Sequence, residues 1–259
     1  MVLDSFHKRI PRKIFLTKNV LDYIETAKGQ FTVQKDEVRI ELTNTHYLLR
    51  RSGSDLDVFN QIIIERGLNR ILQHMKTLKN EGIHILDCGA NIGLATLTFK
   101  KEYPLSKIIS LEPEPGNYNQ LCKNISLNGY SEITPLAIGV WFEKNVLTAD
   151  RDFRDRENWS FAIQPGDTKN AGGIPVDSPD SIAKLHGWER IDVLKIDIEG
   201  SEFPLFRNVE KWGSILETVQ IISIEVHEEV GPLFEIAEIL WRKGFKLEMH
   251  GELLIAFRN

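Results

Sequence analysis

The pattern of hydrophobic and polar positions divides the chain near residue 80. In residues 81–259, short apolar runs alternate with stretches of helical periodicity, which predicts a parallel sheet with helices on both faces. The last two apolar runs, Phe245–Met249 and Glu252–Phe257, flank His250-Gly251 and predict a terminal hairpin. We therefore expect an α/β fold of the doubly wound type, with a seven-stranded sheet whose final strand is antiparallel.

The first 80 residues lack this alternation. Three β-like pieces precede a helical stretch; they are Phe31–Val33, Val38–Leu42 and Tyr47–Arg50, followed by Asp57–Met75. We interpret residues 1–80 as a small N-terminal cap packed on the sheet, and residues 81–259 as a Rossmann-like domain. The cap is expected to shape the site of a second substrate and not that of a cofactor.

One unit near the start of the sheet indicates the cofactor class. An apolar strand, His84–Cys88, leads into a glycine turn and the helix Leu94–Glu102, and the next strand, Lys107–Leu111, ends in Glu112. Doubly wound sheets hold the ribose of a nucleoside cofactor with this layout. Glycines let the backbone approach a ligand closely, and a carboxylate at the second strand end can accept both ribose hydroxyls.

The chemistry of the turn favours one nucleoside over another. The turn is Asp87-x-Gly89-x-Asn91-x-Gly93, whereas a dinucleotide normally requires G-x-G-x-x-G for its pyrophosphate. An acid beside the turn repels phosphate and suits a cationic group. S-adenosylmethionine (SAM) carries an ammonium and a sulfonium and no phosphate, so the turn favours SAM over NAD. The turn motif by itself leaves open the alternative that its glycines only form a tight turn between strand and helix.

Further motifs extend the comparison along the chain. They are LEPEPGNYNQLCKNISLNG (111–129), ITPLAIG (133–139), VLKIDIEGSEFPLF (193–206) and IISIEVH (221–227). Together with DCGANIG (87–93), these segments resemble the FkbM family of SAM-dependent methyltransferases. The resemblance covers roughly residues 83 to 227 and implies a seven-stranded methyltransferase sheet. Leu111 replaces the usual Phe before the ribose-binding acid, and Pro179 stands where the family tends to have Leu.

The resemblance also implies positions for the cofactor. The matching residues are Asp87, Gly89, Ala90, Asn91 and Gly93 around the methionine part, Glu112 at the ribose, Asn117 on the adenosine side, Ala137 and Ile138 at adenine, and Asp197. Asn124, about two helical turns beyond Asn117, is expected to be structural. Ser160 matches a Ser region of the family only loosely, and Trp159 beside it is a candidate for lining the acceptor pocket.

Two strand ends carry candidate catalytic residues. Asp197 and Glu199 alternate at the end of one strand, and Glu225 and His227 repeat this spacing on the next, so the four side chains should converge. An alcohol needs a base to become a good nucleophile, and the first candidate is His227, followed by Glu199, with Asp197 beside them.

The same four residues allow two other interpretations. Asp197, Glu199, Glu225 and His227 could hold Mg²⁺ or another divalent ion that acidifies the acceptor. Alternatively Glu199 and Glu202 bind loop amides and His227 caps its strand. The sequence favours metal-independent base catalysis, with no metal as the working hypothesis.

Composition and charge limit the classes of molecule that the protein is expected to bind. The chain has 259 residues, a net charge of −5 and two cysteines, Cys88 and Cys122, without C-x-x-C spacing. A negative charge argues against a nucleic-acid partner, and the absence of a long apolar run argues against a membrane partner. Basic residues near the N-terminus (His7, Lys8, Arg9, Arg12, Lys13) are interpreted as a solvated end. We expect a cytoplasmic protein; the oligomeric state stays open, a homodimer included.

Three functions follow as hypotheses. The first is a SAM-dependent O-methyltransferase that acts on a hydroxyl of a small secondary metabolite or sugar-like acceptor. The second is an NAD-dependent oxidoreductase on a Rossmann-like sheet, and the third a non-catalytic SAM-binding domain. Intact acids at Glu112, Asp197 and Glu199 speak against the third.

Overall fold

The computed structural model describes residues 16–78, 82–150, 162–164 and 173–258. The strands are β1 (Gln30–Val33), β2 (Glu37–Leu42), β3 (Thr45–Arg50), β4 (His84–Cys88), β5 (Lys107–Leu111), β6 (Ile133–Leu136), β7 (Gly139–Val140), β8 (Asn145–Asp150), β9 (Ala162–Gln164), β10 (Ile174–Asp177), β11 (Val193–Ile196), β12 (Ile221–Glu225), β13 (Lys246–His250) and β14 (Leu253–Phe257). The helices are α1 (Lys18–Thr26), α2 (Asp55–Phe59), α3 (Asn69–Met75), α4 (Leu94–Glu102), α5 (Pro115–Asn128), α6 (Pro179–Leu185), α7 (Glu202–Arg207), α8 (Val209–Trp212) and α9 (Leu233–Arg242), with a π-helical turn at Asn60–Ile64 and a 3₁₀ turn at Gly213–Glu217.

The main sheet has seven strands in the order β13-β14-β12-β11-β4-β5-β6. Strands β6, β5, β4, β11 and β12 are parallel, and β14 is antiparallel to both of its neighbours. This arrangement confirms the doubly wound sheet with an antiparallel final strand. The register of β13 on β14, with His250 opposite Leu253, gives the hairpin that the sequence predicts.

Local sequence explains where α5, the helix that follows β5, begins and ends. Helix α5 begins at Pro115, because Pro tolerates the first helical position and the Glu114 side chain accepts the N–H of Asn117. The helix ends before Gly129, whose φ of 67° is left-handed.

Both faces of the sheet are covered by apolar side chains. One face packs against α7, α8 and α9 through residues such as Phe203, Trp212 and Leu240. The other packs against α4 and α5, and also against α3 through Ile71 and Met75. The core of the sheet therefore includes a helix from the first 80 residues.

The N-terminal region differs from the single helical stretch that the sequence predicts at Asp57–Met75. Arg66 takes a left-handed φ of 57° and is followed by Gly67, so the chain turns between the π-helical turn and α3. Helix α1 and the four-stranded sheet β7-β10-β8-β9 were not predicted. Both contain short elements whose periodicity is too brief to stand out from the sequence.

A three-stranded antiparallel sheet, β1-β2-β3, forms the cap together with α1 and α2. Its buried side chains, among them Ile40 and Leu49, share one apolar cluster with Leu94 and Leu97 of α4. The cap thus covers the outer face of the helix that follows the glycine turn.

Side-chain amides of α5 bind the free edge of β3. Asn124 is fully buried; its Oδ1 accepts the N–H of Leu48 at 2.7 Å, and its Nδ2 donates to the carbonyls of Leu48 and Ile92. Gln120 donates to the same Leu48 carbonyl, and Asn128 exchanges two hydrogen bonds with the backbone of His46. Because edge strands expose unpaired backbone groups, this row of amides completes the pairing of β3.

Replacing Asn124 with alanine should destabilise the protein by about 3–5 kcal/mol, because each buried backbone group left unpaired costs about 1–3 kcal/mol. Urea unfolding measures the change. The neighbouring Lys123→Ala removes only an exposed ion pair to Glu37 and should cost less than about 1 kcal/mol. Equal costs for the two substitutions would show that the amide row does not hold the cap.

Across the residues that the structure describes, no helix has the length and apolar character needed to cross a membrane.

Candidate active site

The glycine turn after β4 is held in place from within the protein. Gly89, Asn91 and Gly93 all have left-handed φ angles, of 78°, 50° and 89°. A Cβ on Gly89 would overlap the carbonyl oxygen of Asp197, so the turn packs directly against the end of β11. This close contact requires glycine at position 89, because a side chain would clash with the end of β11 and would disfavour the left-handed φ.

Each of the five N–H groups of the turn already has an acceptor. Gly89 and Ala90 donate to the Leu111 carbonyl, and Gly93 donates to the Ala90 carbonyl. Asn91 donates to Oε2 of Glu112, and Ile92 to Oδ1 of Asn91. A pyrophosphate would require these donors, so the turn as folded is unsuited to a dinucleotide.

Glu112 lies at the end of β5, 4% exposed. Its Oε2 accepts the N–H of Asn91 at 2.8 Å, and its Oε1 accepts the N–H of Glu114 at 2.9 Å. Burial raises the pKa of Glu112 to about 7, although the two backbone hydrogen bonds favour the charged form. Each carboxylate oxygen has a second lone pair, so the group can still accept hydroxyl hydrogen bonds.

Asp87 is fully buried and faces a cation of the protein itself. Its Oδ2 accepts from the Thr96 hydroxyl at 2.6 Å, and its Oδ1 lies 3.3 Å from Nζ of Lys195. Lys195 also donates to the Gly89 carbonyl. Burial alone would lower the pKa of Lys195, but Asp87, Asp197 and Glu225 outweigh it and raise the pKa. The acid at the end of β4 therefore ties β11 to the turn.

A cavity of about 390 Å³ opens beside the turn, at the carboxyl ends of the parallel strands. Ligand pockets in proteins have volumes of about 300–1,000 Å³. Its lining is strongly acidic; the residues are Asp57, Val58, Asn60, Gln61, Ile62, Glu65, Gly89, Ala90, Asn91, Leu94, Ala95, Lys195, Asp197, Glu199, Glu225 and Glu252. One wall thus comes from the glycine turn and strand ends, and another from α2 and the π-helical turn of the cap.

The four ionisable residues at the ends of β11 and β12 come together at this cavity. Single ligand atoms of Asp197, Glu225 and His227 lie within 4.8 Å of one another. Oε2 of Glu199 lies 3.4 Å from Nε2 of His227. Asp197 and then burial raise the pKa of Glu225 to about 7. Ile198, between Asp197 and Glu199, is buried in the core. The strand ends at Ile196 and Glu199 has a left-handed φ of 52°, so the strand alternation predicted from the sequence does not extend to Glu199.

His227 lies deeper than the hypothesis of a catalytic base assumes. It is 2% exposed, and its Nδ1 lies 3.0 Å from Oε1 of the fully buried Glu202. Burial lowers the pKa of His227, but Glu202, Glu199 and Asp197 outweigh it and raise the pKa to about 9. At neutral pH His227 is therefore an imidazolium, which has no lone pair that could take a proton from a substrate hydroxyl. His227 is also outside the cavity lining, whereas Glu199 and Glu225 belong to it.

The remaining predicted residues take varied positions. Asn117 is buried in the first turn of α5, where its Oδ1 accepts from Arg50 of the cap at 2.7 Å. Arg50 in turn forms a bidentate pair with the buried Asp55. Ala137 is exposed and Ile138 half-buried, both just after β6. Trp159, Ser160 and the basic N-terminal residues lie outside the described residues.

Sequence reasoning did not single out Lys195 or the π-helical turn. A lysine within the apolar run Val193–Ile196 was the signal for Lys195, because a buried lysine needs a carboxylate partner. Asn60 and Gln61 of the π-helical turn line the cavity, and π-turns inside helices are frequent at functional sites. The sequence gives no signal for such a turn.

Much of the chain matches a known protein family and two relatives. The family model "Methyltransferase FkbM domain" matches residues 87–247, a range that includes the glycine turn, Glu112 and the cluster at the ends of β11 and β12. The chain is similar to Methyltransferase sdnD of Sordaria araneosa, with 29% identity over 200 residues that cover 63% of this chain and 73% of that protein. Methyltransferase 1 of Beauveria bassiana is 24% identical over 181 residues, 62% and 71% of the two chains.

Among solved structures, magnesium protoporphyrin IX methyltransferase (ChlM) from Synechocystis PCC 6803 with bound SAM aligns with a TM-score of 0.45. That alignment covers 76% of this chain and 80% of the other at 10% identity. The precorrin-6y C5,15-methyltransferase from Geobacter metallireducens gives a TM-score of 0.43 at 11% identity, over 73% of this chain and 87% of the other.

Proposed function

The chain belongs to the FkbM family of SAM-dependent methyltransferases, and from this premise we propose that it methylates a hydroxyl of a small secondary metabolite or sugar-like acceptor. Family membership excludes the NAD-dependent oxidoreductase and the non-catalytic domain considered from the sequence. The observation that supports a hydroxyl acceptor is the pair of carboxylates, Glu199 and Glu225, in the cavity next to the glycine turn.

The acidic lining of the cavity fits the cationic methionine part of SAM, and Glu112, outside the lining, contacts it through Asn91. When bound, SAM supplies a methyl group on a positively charged sulfonium, which acid-lined walls favour. We propose that Gly89, Ala90 and Asn91 surround the methionine part and that Glu112 accepts the ribose hydroxyls. Asn117, Ala137 and Ile138 are proposed for the adenosine side, because they follow β5 and β6 at the same edge of the sheet.

Asp87 and Gly93 act on this site indirectly in our proposal. Asp87 holds Lys195 and thereby the Gly89 carbonyl, so it orders the turn. Gly93 lets the turn enter α4, because a Cβ there would meet Cδ1 of Leu121 at 2.5 Å. Substitutions at either position are expected to alter the shape of the turn.

Glu199 is the proposed proton acceptor. It lines the cavity, and its backbone has a left-handed φ of 52°, an uncommon angle for a non-glycine residue. Such backbone strain clusters at functional sites because the surrounding structure must enforce it. His227 then serves as a positioning residue, with Nε2 3.4 Å from Oε2 of Glu199 and Nδ1 at Glu202. This assignment replaces His227, the first candidate from the sequence, with Glu199, the second.

The cap is proposed to select the acceptor. Asp57, Asn60 and Gln61 face the cavity opposite the glycine turn. Their polar groups suit an acceptor with several hydroxyls, because each hydroxyl can both donate and accept a hydrogen bond. The link from Arg50 to Asn117 joins this wall to the loop that carries Glu112.

The experiment is methyl transfer from isotopically labelled SAM to a panel of polyhydroxylated acceptors, with matched amines and O-methylated analogues. We expect label on the hydroxyl compounds and none on analogues whose hydroxyl is blocked. Glu199→Gln should lower turnover about 10²–10⁴-fold and leave SAM affinity, measured by calorimetry, unchanged. The exposed Glu228→Gln is the control and should keep full turnover. Transfer confined to amines, or a fully active Glu199→Gln, would contradict the proposal.

A further inference from the structure

We propose that Asp197, Glu225 and His227 form a binding site for a divalent cation of the Mn²⁺ type. The three residues come from the ends of two adjacent parallel strands, β11 and β12. Each offers one ligand atom, and the three atoms lie within 4.8 Å of one another. A single cation can therefore contact all three without rearrangement of the strands.

A second observation concerns the ring of His227. Its side chain is 1% exposed, and among the described residues its Nε2 has no hydrogen-bond partner, with Oε2 of Glu199 3.4 Å away as an ion-pair contact only. Because Nδ1 is already bonded to Glu202, Nε2 is the nitrogen that remains for the cluster, and a bound cation displaces the proton on Nε2 to solvent, since only neutral imidazole binds a metal. A buried ring nitrogen without a hydrogen bond is costly unless something binds it.

Glu202 gives His227 the usual surroundings of a metal ligand. Histidines that bind metals almost always donate their other ring N–H to a carboxylate or carbonyl, which fixes the tautomer and the ring orientation. Glu202 is fully buried, lies 3.0 Å from Nδ1 and accepts the N–H of Ile198 with the same oxygen. The ring is thus held by the backbone turn that also carries Asp197 and Glu199.

The donor set indicates the class of cation. Two carboxylates and one imidazole suit first-row divalent ions such as Mn²⁺, whereas thiolate ligands, which favour softer ions, are not in the set. Three protein ligands leave coordination positions open toward the cavity that Asp197 and Glu225 line. An acceptor oxygen bound there would be more acidic, a role that rests on the proposed function.

The test uses the full-length protein and Mn²⁺ alone, followed by electron paramagnetic resonance and by calorimetry. We expect saturable binding of one Mn²⁺ per chain. Asp197→Asn and Glu225→Gln should each weaken binding at least about tenfold, and Glu202→Gln about 10–100-fold through the orientation of His227. Glu252→Gln removes a charge from the same cavity but not from the three ligands, and should change affinity less than about threefold.

Circular dichroism establishes that each variant is folded. Glu225 is half-buried, so the isosteric amide in Glu225→Gln should preserve the fold. Absence of saturable Mn²⁺ binding by the parent, or equal affinity of Glu225→Gln and the parent, would overturn the site. Mn²⁺ binding without methylation of any hydroxyl would support the site and contradict the proposed function. Methylation of a hydroxyl by a protein that binds no Mn²⁺ would overturn the site alone.

Discussion

Replacing Glu112 with alanine is expected to abolish measurable SAM binding. The carboxylate is the acid at the end of β5, and it also fixes the N–H groups of Asn91 and Glu114. Hydrogen bonds to a charged group contribute about 1.5–3 kcal/mol each. Loss of two ribose hydrogen bonds therefore predicts an affinity about 10²–10⁴-fold lower in calorimetry. Glu132→Ala, an exposed acid just before β6, is the control and should bind as the parent does.

Glu112→Gln separates the loss of charge from the loss of an acceptor. Burial raises the pKa of Glu112 to about 7, so the group gains a proton as the pH falls through neutrality. Only the carboxylate can accept from both ribose hydroxyls, so the affinity of the parent for SAM should weaken from about pH 8 to about pH 6. The glutamine variant should bind weakly and without this dependence. SAM binding by Glu112→Ala within a few-fold of the parent would remove Glu112 from the ribose site.

The sequence predicted the sheet well because its strands are buried and their ends are marked by turn residues. The bounds of His84–Cys88, Leu94–Glu102 and Lys107–Leu111 agree with the structure residue by residue. Parallel strands covered on both faces form continuous apolar runs, and glycine or proline marks their ends. The cap was harder, because α1 and the chain turn at Arg66 depend on contacts with the rest of the protein.

The sequence predicted which ionisable side chains come together but not how deeply each is buried. Spacing along β11 and β12 predicted that Asp197, Glu199, Glu225 and His227 converge, since alternation within strands is local. Spacing could not show that Glu202 binds the ring of His227, or that Lys195 of β11 pairs with Asp87 of β4. Those contacts join residues far apart in the chain, so no local pattern in the sequence reveals them.

Replacing Gly89 with alanine is expected to be the most damaging single-methyl change in the turn. A new Cβ would overlap the Asp197 carbonyl oxygen, an atom of the backbone that cannot swing away as a side chain can. The residue would also have to keep a left-handed φ of 78°. The two penalties act together, so we expect a loss of more than about 4 kcal/mol in the free energy of unfolding, well above a typical substitution.

The variant Gly187→Ala is the control that measures the cost of the left-handed backbone without a steric overlap. Gly187 has a similar φ of 70°, and among the described residues no atom lies within 4 Å of an added Cβ. Gly187→Ala should therefore cost only about 1–2 kcal/mol, the price of the left-handed conformation for an L-residue. Urea unfolding of both variants without SAM gives the comparison, and calorimetry should show SAM binding lost only in Gly89→Ala. If both variants lose the same stability, the overlap with Asp197 is relieved by local movement, and the close approach of the turn to β11 is not what requires glycine.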